Sequence, residues 1–547
     1  MTHRRTHRAA ATAVALAVLA ALPAAASAHP VDCAGSKDLT RAPSGERWVD
    51  WGGGSDGCVT VASEQAAGPD RTPANASAAG DRPTGSFRQV GHEALRNRGM
   101  NAAIAVHGDY AYVGSRTDGG HTGQPQGGLM VVDIAQPSQP KLVAGPLDPR
   151  PGESTRELRV WRSKGVLIVL NTNCGVGPTL HECTVPSISN IRFYDIRGNK
   201  AANPRLIQEL KVDTHEFFLW EDPNDSDRAL IFAGNASSTC GTRGGAPSCP
   251  FSVWDISQVR DRVAPKTLYS GPYPYSRFPA APEPVQKPTG GLHSLTISND
   301  GSEAFFALLT GGFAIADVSD FAQNKPFPQP RPITRNESRP TWAGPGAHSA
   351  VRLWNRDWAW VSDEVYGSAT GPDHGCPWGW ARMVDVSDPQ APTVKAEYRE
   401  PENDPDSCST WNPPRTSYSA HNPTLTPHIA FSTWHSSGME AVSVEDPTQP
   451  YQLAQFEPKP LDSVLIEDPR LSSDPDTGRN EKVVMWSYAI VKDGLIYVVD
   501  LRNGLYVLKY EGPYQDEVDR IRYLDGNSNQ GDALCFDPVG QAPRGCR

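Results

Sequence analysis

Four histidines carry the chemistry this chain could do: His215, His293, His348 and His421. Each stands at the entry to a short apolar run; His293, for example, precedes the run 295–298. A fifth, His435, directly follows the apolar run 429–434. A neutral imidazole is a nitrogen ligand for transition metals, and a nearby carboxylate fixes which ring nitrogen carries the proton. Glu157 and Glu364 occupy comparable places and would orient the rings or accept a proton. Four such ligands could bind Fe, Cu or Zn and leave positions open for a substrate or oxygen. A plainer reading competes: polar positions lining a wet channel hydrogen-bond between repeats and need no metal.

The elements that must position these residues are visible in the stretch 289–320. Apolar runs at 295–298, 304–309 and 313–318 are separated by Asn299-Asp300-Gly301 and by Thr310-Gly311-Gly312. Short runs bounded in this way predict antiparallel strands joined by tight turns. A motif of apolar residues closed by Asp and an aliphatic residue then recurs along the chain. Its aspartates are Asp133, Asp195, Asp255, Asp317 and Asp385, and two degenerate copies place Ser443 and Lys509 there. Successive copies lie 58 to 68 residues apart. Seven copies of a four-strand unit predict an all-β fold, a seven-bladed β-propeller of four-stranded antiparallel blades. Each small sheet can bury its faces only against its neighbours, so the ring must close. The last unit lacks chain for an outer strand, and Phe87-Arg88-Gln89-Val90 supplies an N-terminal strand to complete it.

Alignment of the seven first strands places Asn101, Glu157, His215, His293, His348, His421 and Trp486 in one register. The ends of the second strands fall on the same face and add Arg116, Asn171, Asn235, Thr310, Asp363 with Glu364, His435 and Arg502. The candidate metal ligands are therefore His215, His293, His348, His421 and His435, ringing one mouth of the channel, with Glu157 and Glu364 as candidate catalytic carboxylates. The phrase Val384-Asp385-Val386-Ser387-Asp388-Pro389, with its counterparts, resembles the LVIVD-repeat family of secreted bacterial propellers. The resemblance spans about 100–513 and implies the fold, but no single activity. In arrangement alone the histidines are similar to those of carotenoid-cleaving oxygenases and of selenium-binding, methanethiol-oxidising proteins. No local motif is shared with either, so no substrate is implied.

Residues 1–28 read as a secretory signal, with Arg4, Arg5 and Arg8 before an apolar stretch and Ala26-Ser27-Ala28 at the cleavage site. Residues 29–86 read as an N-terminal segment and linker, 87–513 as the propeller and 514–547 as a C-terminal tail. Without residues 1–28 the formal charge is 48 − 62 = −14, which argues against nucleic acid as a partner. No stretch after residue 28 is apolar enough to span a membrane. Ten cysteines in a secreted chain predict disulfides. Proximity favours Cys33–Cys58, Cys174–Cys183, Cys240–Cys249, Cys376–Cys408 and Cys535–Cys546. Long loops with aromatics Tyr273, Tyr275, Phe278, Trp342, Trp411 and Tyr418 are expected around the same mouth. Two functions compete: a secreted metal-dependent oxidoreductase, and a non-catalytic propeller that binds a small molecule or an extracellular protein at its loop-rich face.

Overall fold

In this computed structural model the described residues are 82–116, 127–150, 153–173, 189–235, 240–243, 246–275, 291–342, 346–354, 356–364, 378–403, 418–467 and 483–525, with short strands at 47–50, 58–61, 74–75 and 535–536. Seven antiparallel sheets follow one another in chain order. The stretch singled out above forms blade four, with strands Ser294–Ile297, Glu303–Ala307, Phe313–Asp317 and the short Arg331–Pro332. The turn before Phe313 needs Gly312. It sits at φ +73°, and a Cβ there would collide with the Pro340 carbonyl.

The ring is visible in how the core divides. Side chains alternate along a strand, and here both faces of each sheet are buried. In blade three, Phe217 and Leu219 pack toward blade two, whereas Phe218 and Trp220 pack toward blade four. Seven such clusters occur, one between each pair of neighbouring blades. The last of them joins Ile104 and Val106 of blade one to Ile490 and Val507 of blade seven, closing the circle. Each fully buried Phe, Ile or Leu contributes about 1.5–3 kcal/mol.

Closure also runs through the backbone. Ser86–Glu93 is the outer strand of blade seven, antiparallel to Gly504–Glu511 from Leu505↔Glu93 to Glu511↔Ser86. Strands from the two ends of the chain thus share one sheet, as the missing outer strand required. Two additions were not foreseen. Ile521–Asp525, expected beyond the propeller, pairs with Ile490–Lys492 on the inner edge of blade seven. Ala74–Asn75 extends the outer edge of blade five in parallel with Tyr398 and Arg399.

The expected ring of aromatics at the mouth is corrected. Tyr273 and Tyr275 lie in the core between blades three and four, and the Tyr275 hydroxyl donates to the Ile315 carbonyl at 2.6 Å. Trp342 packs between blades four and five and donates to Asp363 Oδ1 at 3.0 Å. Tyr418 is buried against Trp378, with ring centroids 5.3 Å apart. These large rings bury more favourably between sheets than at a wet rim. Phe278 and Trp411 lie outside the described residues, as do residues 1–28. Of the five expected disulfides, Cys240–Cys249 is formed. Every other expected pair has at least one cysteine outside the described residues.

Candidate metal centre

The inner strands bring the histidines to one place. Ser349 and Asn422 follow His348 and His421 directly, and Ser294 follows His293. These small polar residues tie neighbouring blades together. Ser294 Oγ donates to the His348 carbonyl, and Thr296 Oγ1 to the Ala350 carbonyl at 2.7 Å. Ser362 Oγ donates to the His421 carbonyl at 2.6 Å, and Thr424 Oγ1 to the Ala489 carbonyl at 2.6 Å. Such latches hold adjacent inner strands at a constant offset, so side chains in one register meet. The ring centroids of His215 and His293 are 4.4 Å apart, those of His293 and His348 4.1 Å, and those of His348 and His421 4.2 Å. His435 continues the arc, 5.3 Å from His421.

The rings meet, but as an arc rather than around one point. Three overlapping groups each bring three ligand atoms within 4.8 Å of one another: His215, Glu216 and His293; His293, His348 and Glu364; Glu364, His421 and His435. None of these groups contains all four expected histidines. Two histidines and one carboxylate are the set found repeatedly, and that set suits Fe(II) and related ions.

Glu364 is the hub. Its Oε1 lies 2.9 Å from His421 Nε2 and 3.2 Å from His435 Nε2, and its Oε2 lies 3.2 Å from His348 Nε2. Glu216 faces the other half, with Oε1 at 3.6 Å from His348 Nε2 and 3.8 Å from His293 Nδ1. Sequence reading missed Glu216. The adjacent pair His215-Glu216 was its only signal, because the matching positions in the next three blades hold Ser294, Ser349 and Asn422.

Backbone and side-chain partners set the tautomers. His421 Nδ1 lies 2.5 Å from the Trp486 carbonyl. A carbonyl only accepts, so Nδ1 donates and Nε2 is the nitrogen turned toward Glu364. His348 Nδ1 contacts Ser349 Oγ at 2.7 Å, and that hydroxyl donates onward to Asn422 Oδ1 at 2.8 Å. His348 Nδ1 is then the donor, and with the ring held neutral by burial its Nε2 is bare toward Glu364. His293 Nδ1 is buried without a hydrogen-bond partner.

Burial dominates the proton affinities. It lowers His215 to about 3 and His435 to about 4, and it holds His293 and His348 well below the usual histidine range. Neighbouring imidazoles add to the effect in all four. Burial alone would raise Glu364, but His421 and His348 hold it well below its ordinary value. Glu216 goes the other way, raised by burial and then by Glu157. Glu157 itself is engaged: Oε1 pairs with Arg159 at 2.5 Å, and Oε2 accepts the Phe217 amide at 3.0 Å.

Of the other expected mouth residues, Asn171 bonds Asn190, Asn235 bonds Asp213, and Arg502 pairs with Glu467. A cavity of about 50 Å³ lies beside the arc. His215, Glu216 and His421 reach it, facing Arg116, Arg156 and Trp486. The Arg116 guanidinium stacks 3.2 Å above the Trp486 ring centroid.

Fold and mouth together define a seven-bladed β-propeller whose channel entrance carries histidine–glutamate groups able to hold a metal ion. A family model for the LVIVD repeat matches residues 98–145, which cover most of blade one. No curated protein matches this chain. Among solved structures, the crystal structure of Chaetomium thermophilum Raptor is similar over 78% of this chain and 30% of that one, at 10% identity and a TM-score of 0.44. A likeness at that level carries no argument about function. No helix among the described residues is long and apolar enough to cross a membrane.

Proposed function

We propose that this is an exported metalloprotein that uses a redox-active transition ion, Fe or Cu, at the propeller mouth to oxidise a small molecule. One observation supports the metal above all. The Nε2 of His421 lies 2.9 Å from Glu364 Oε1, with His348 and His435 facing the same carboxylate. A proton or a metal ion must stand between an imidazole nitrogen and a carboxylate oxygen at that distance, and three imidazoles converging on one carboxylate suit a metal ion. His421, His435 and Glu364 would hold the ion, and the Trp486 carbonyl would keep the His421 ring in its ligating tautomer. A bound ion would supply electron transfer and a coordination position for oxygen or substrate.

The chain supplies the rest. The cavity admits a small molecule beside the arc, and Arg116 and Arg156 favour an anionic one. Glu216 is the carboxyl placed to carry a proton there, since Glu157 already serves Arg159 and the Phe217 amide. The signal-like residues 1–28 and the Cys240–Cys249 bridge support export.

Elemental analysis of purified, dialysed protein tests the reading. Wild type retains stoichiometric Fe or Cu, and Glu364→Ala and His421→Ala lower metal affinity at least 10–100-fold. Folded wild type that retains no ion would sink the metal reading and leave a ligand-binding propeller. Retention of Zn alone would sink the redox half.

A further inference from the structure

We infer that the mouth holds two metal ions bridged by Glu364, one on each carboxylate oxygen. This rests on the reading of the mouth as a metal site and concerns how many ions it takes. Glu364 Oε1 faces His421 and His435 at 2.9 and 3.2 Å, whereas Oε2 faces His348 at 3.2 Å. The two oxygens therefore address different histidines. His293 and His348 form their own three-ligand group with Glu364, separate from the group of His421 and His435.

The distances match coordination edges. Metal–nitrogen and metal–oxygen bonds of about 2.0–2.2 Å place neighbouring ligand atoms about 2.9 Å apart in an octahedron and about 3.4 Å apart in a tetrahedron. The three contacts fall in that interval. One ion cannot use the whole arc, because the ligand atoms divide into groups that share only His293 and Glu364. A single ion on His421, His435 and Glu364 would leave His293 Nδ1 and the bare His348 Nε2 buried with no cation beside them. A second ion on His293, His348 and Glu364 Oε2 uses both rings. A carboxylate spanning two ions sets them about 3.5–4 Å apart. Glu216 stands outside the bridge on the second ion's side, 3.6 Å from His348 Nε2. His215 lies one ring further along and lines the cavity.

The test is a count. Full-length protein is loaded with Cu(II), dialysed, and analysed for copper per chain and for EPR intensity. Two ions with intensity well below that of two isolated Cu(II) centres are expected, because a shared carboxylate couples their spins. His435→Ala and His293→Ala should each retain one ion, with full single-ion intensity. One ion in wild type would overturn the pair while leaving the metal reading standing, and none would overturn both. Two ions at full, uncoupled intensity would overturn the bridge. The wild-type count decides the matter even if a variant does not fold, which circular dichroism reports.

Discussion

At the residue scale, burial sorts the titratable groups by their partners. His215, His293, His348 and His435 stay neutral because burial penalises their charge. A different outcome appears between blades five and six. Glu440 is fully buried, accepts Gln452 Nε2 at 2.6 Å and shares a hydrogen bond of 2.9 Å with the Tyr398 hydroxyl. Among the described residues no cation pairs with it, and burial raises its carboxyl to about 8. The folded state thus keeps a proton that the unfolded chain releases near pH 4.5. Its contribution is complete at low pH and is lost as pH rises through about 8. Thermal melts should therefore show falling stability from pH 5 to pH 8.5, and Glu440→Gln should flatten that slope. An unchanged slope in the variant would refute the assignment.

At the element scale, the repeated aspartate proves to be a turn device. Asp133, Asp195, Asp255, Asp317 and Asp385 each accept, through Oδ1, the backbone N–H two residues on, at 2.8 to 3.2 Å. This side-chain turn ends the third strand of a blade and starts the chain toward the fourth. Asp317 also pairs with Arg331 of that fourth strand. Asp317→Ala should cost about 1–2 kcal/mol in urea unfolding with an unchanged m-value, the scale of one lost hydrogen bond to a charged group. In the degenerate copies, Lys509 uses its position differently and pairs with Asp519. The signature of the repeat is therefore about connection, and chemistry resides at the other end of the blades. That separation is why the register of first strands, not the motif itself, pointed to the site.

At the scale of the whole molecule, stability depends on closure. Each blade is a small sheet with both faces apolar, and only its two neighbours cover them. Among the described residues, Ser86–Glu93 and the last blade join early and late parts of the chain in one sheet. Removing residues 82–93 should open the ring and expose the edge of Gly504–Glu511. The expected result is loss of the single cooperative thermal transition, with aggregation, rather than a modest shift in Tm. A truncated chain that melts cooperatively near the wild-type Tm would show that the seven interfaces alone suffice. The mouth depends on the same closure, since its arc runs across blades three to six.

The number of blades, the closing strand and the histidines in register were legible in the chain alone. Repeat period, strand alternation and turn residues are local properties, and four of the mouth ligands recur at equivalent places. What only the tertiary structure decided was how those rings meet. Distances between side chains on different blades depend on ring curvature and on latches such as Ser294 to the His348 carbonyl. Thus Glu216 joined the site unannounced, Glu157 was drawn to Arg159, and the mouth aromatics turned inward. Four histidines that a repeat merely aligned became an arc in which His348 and His421 face different oxygens of Glu364.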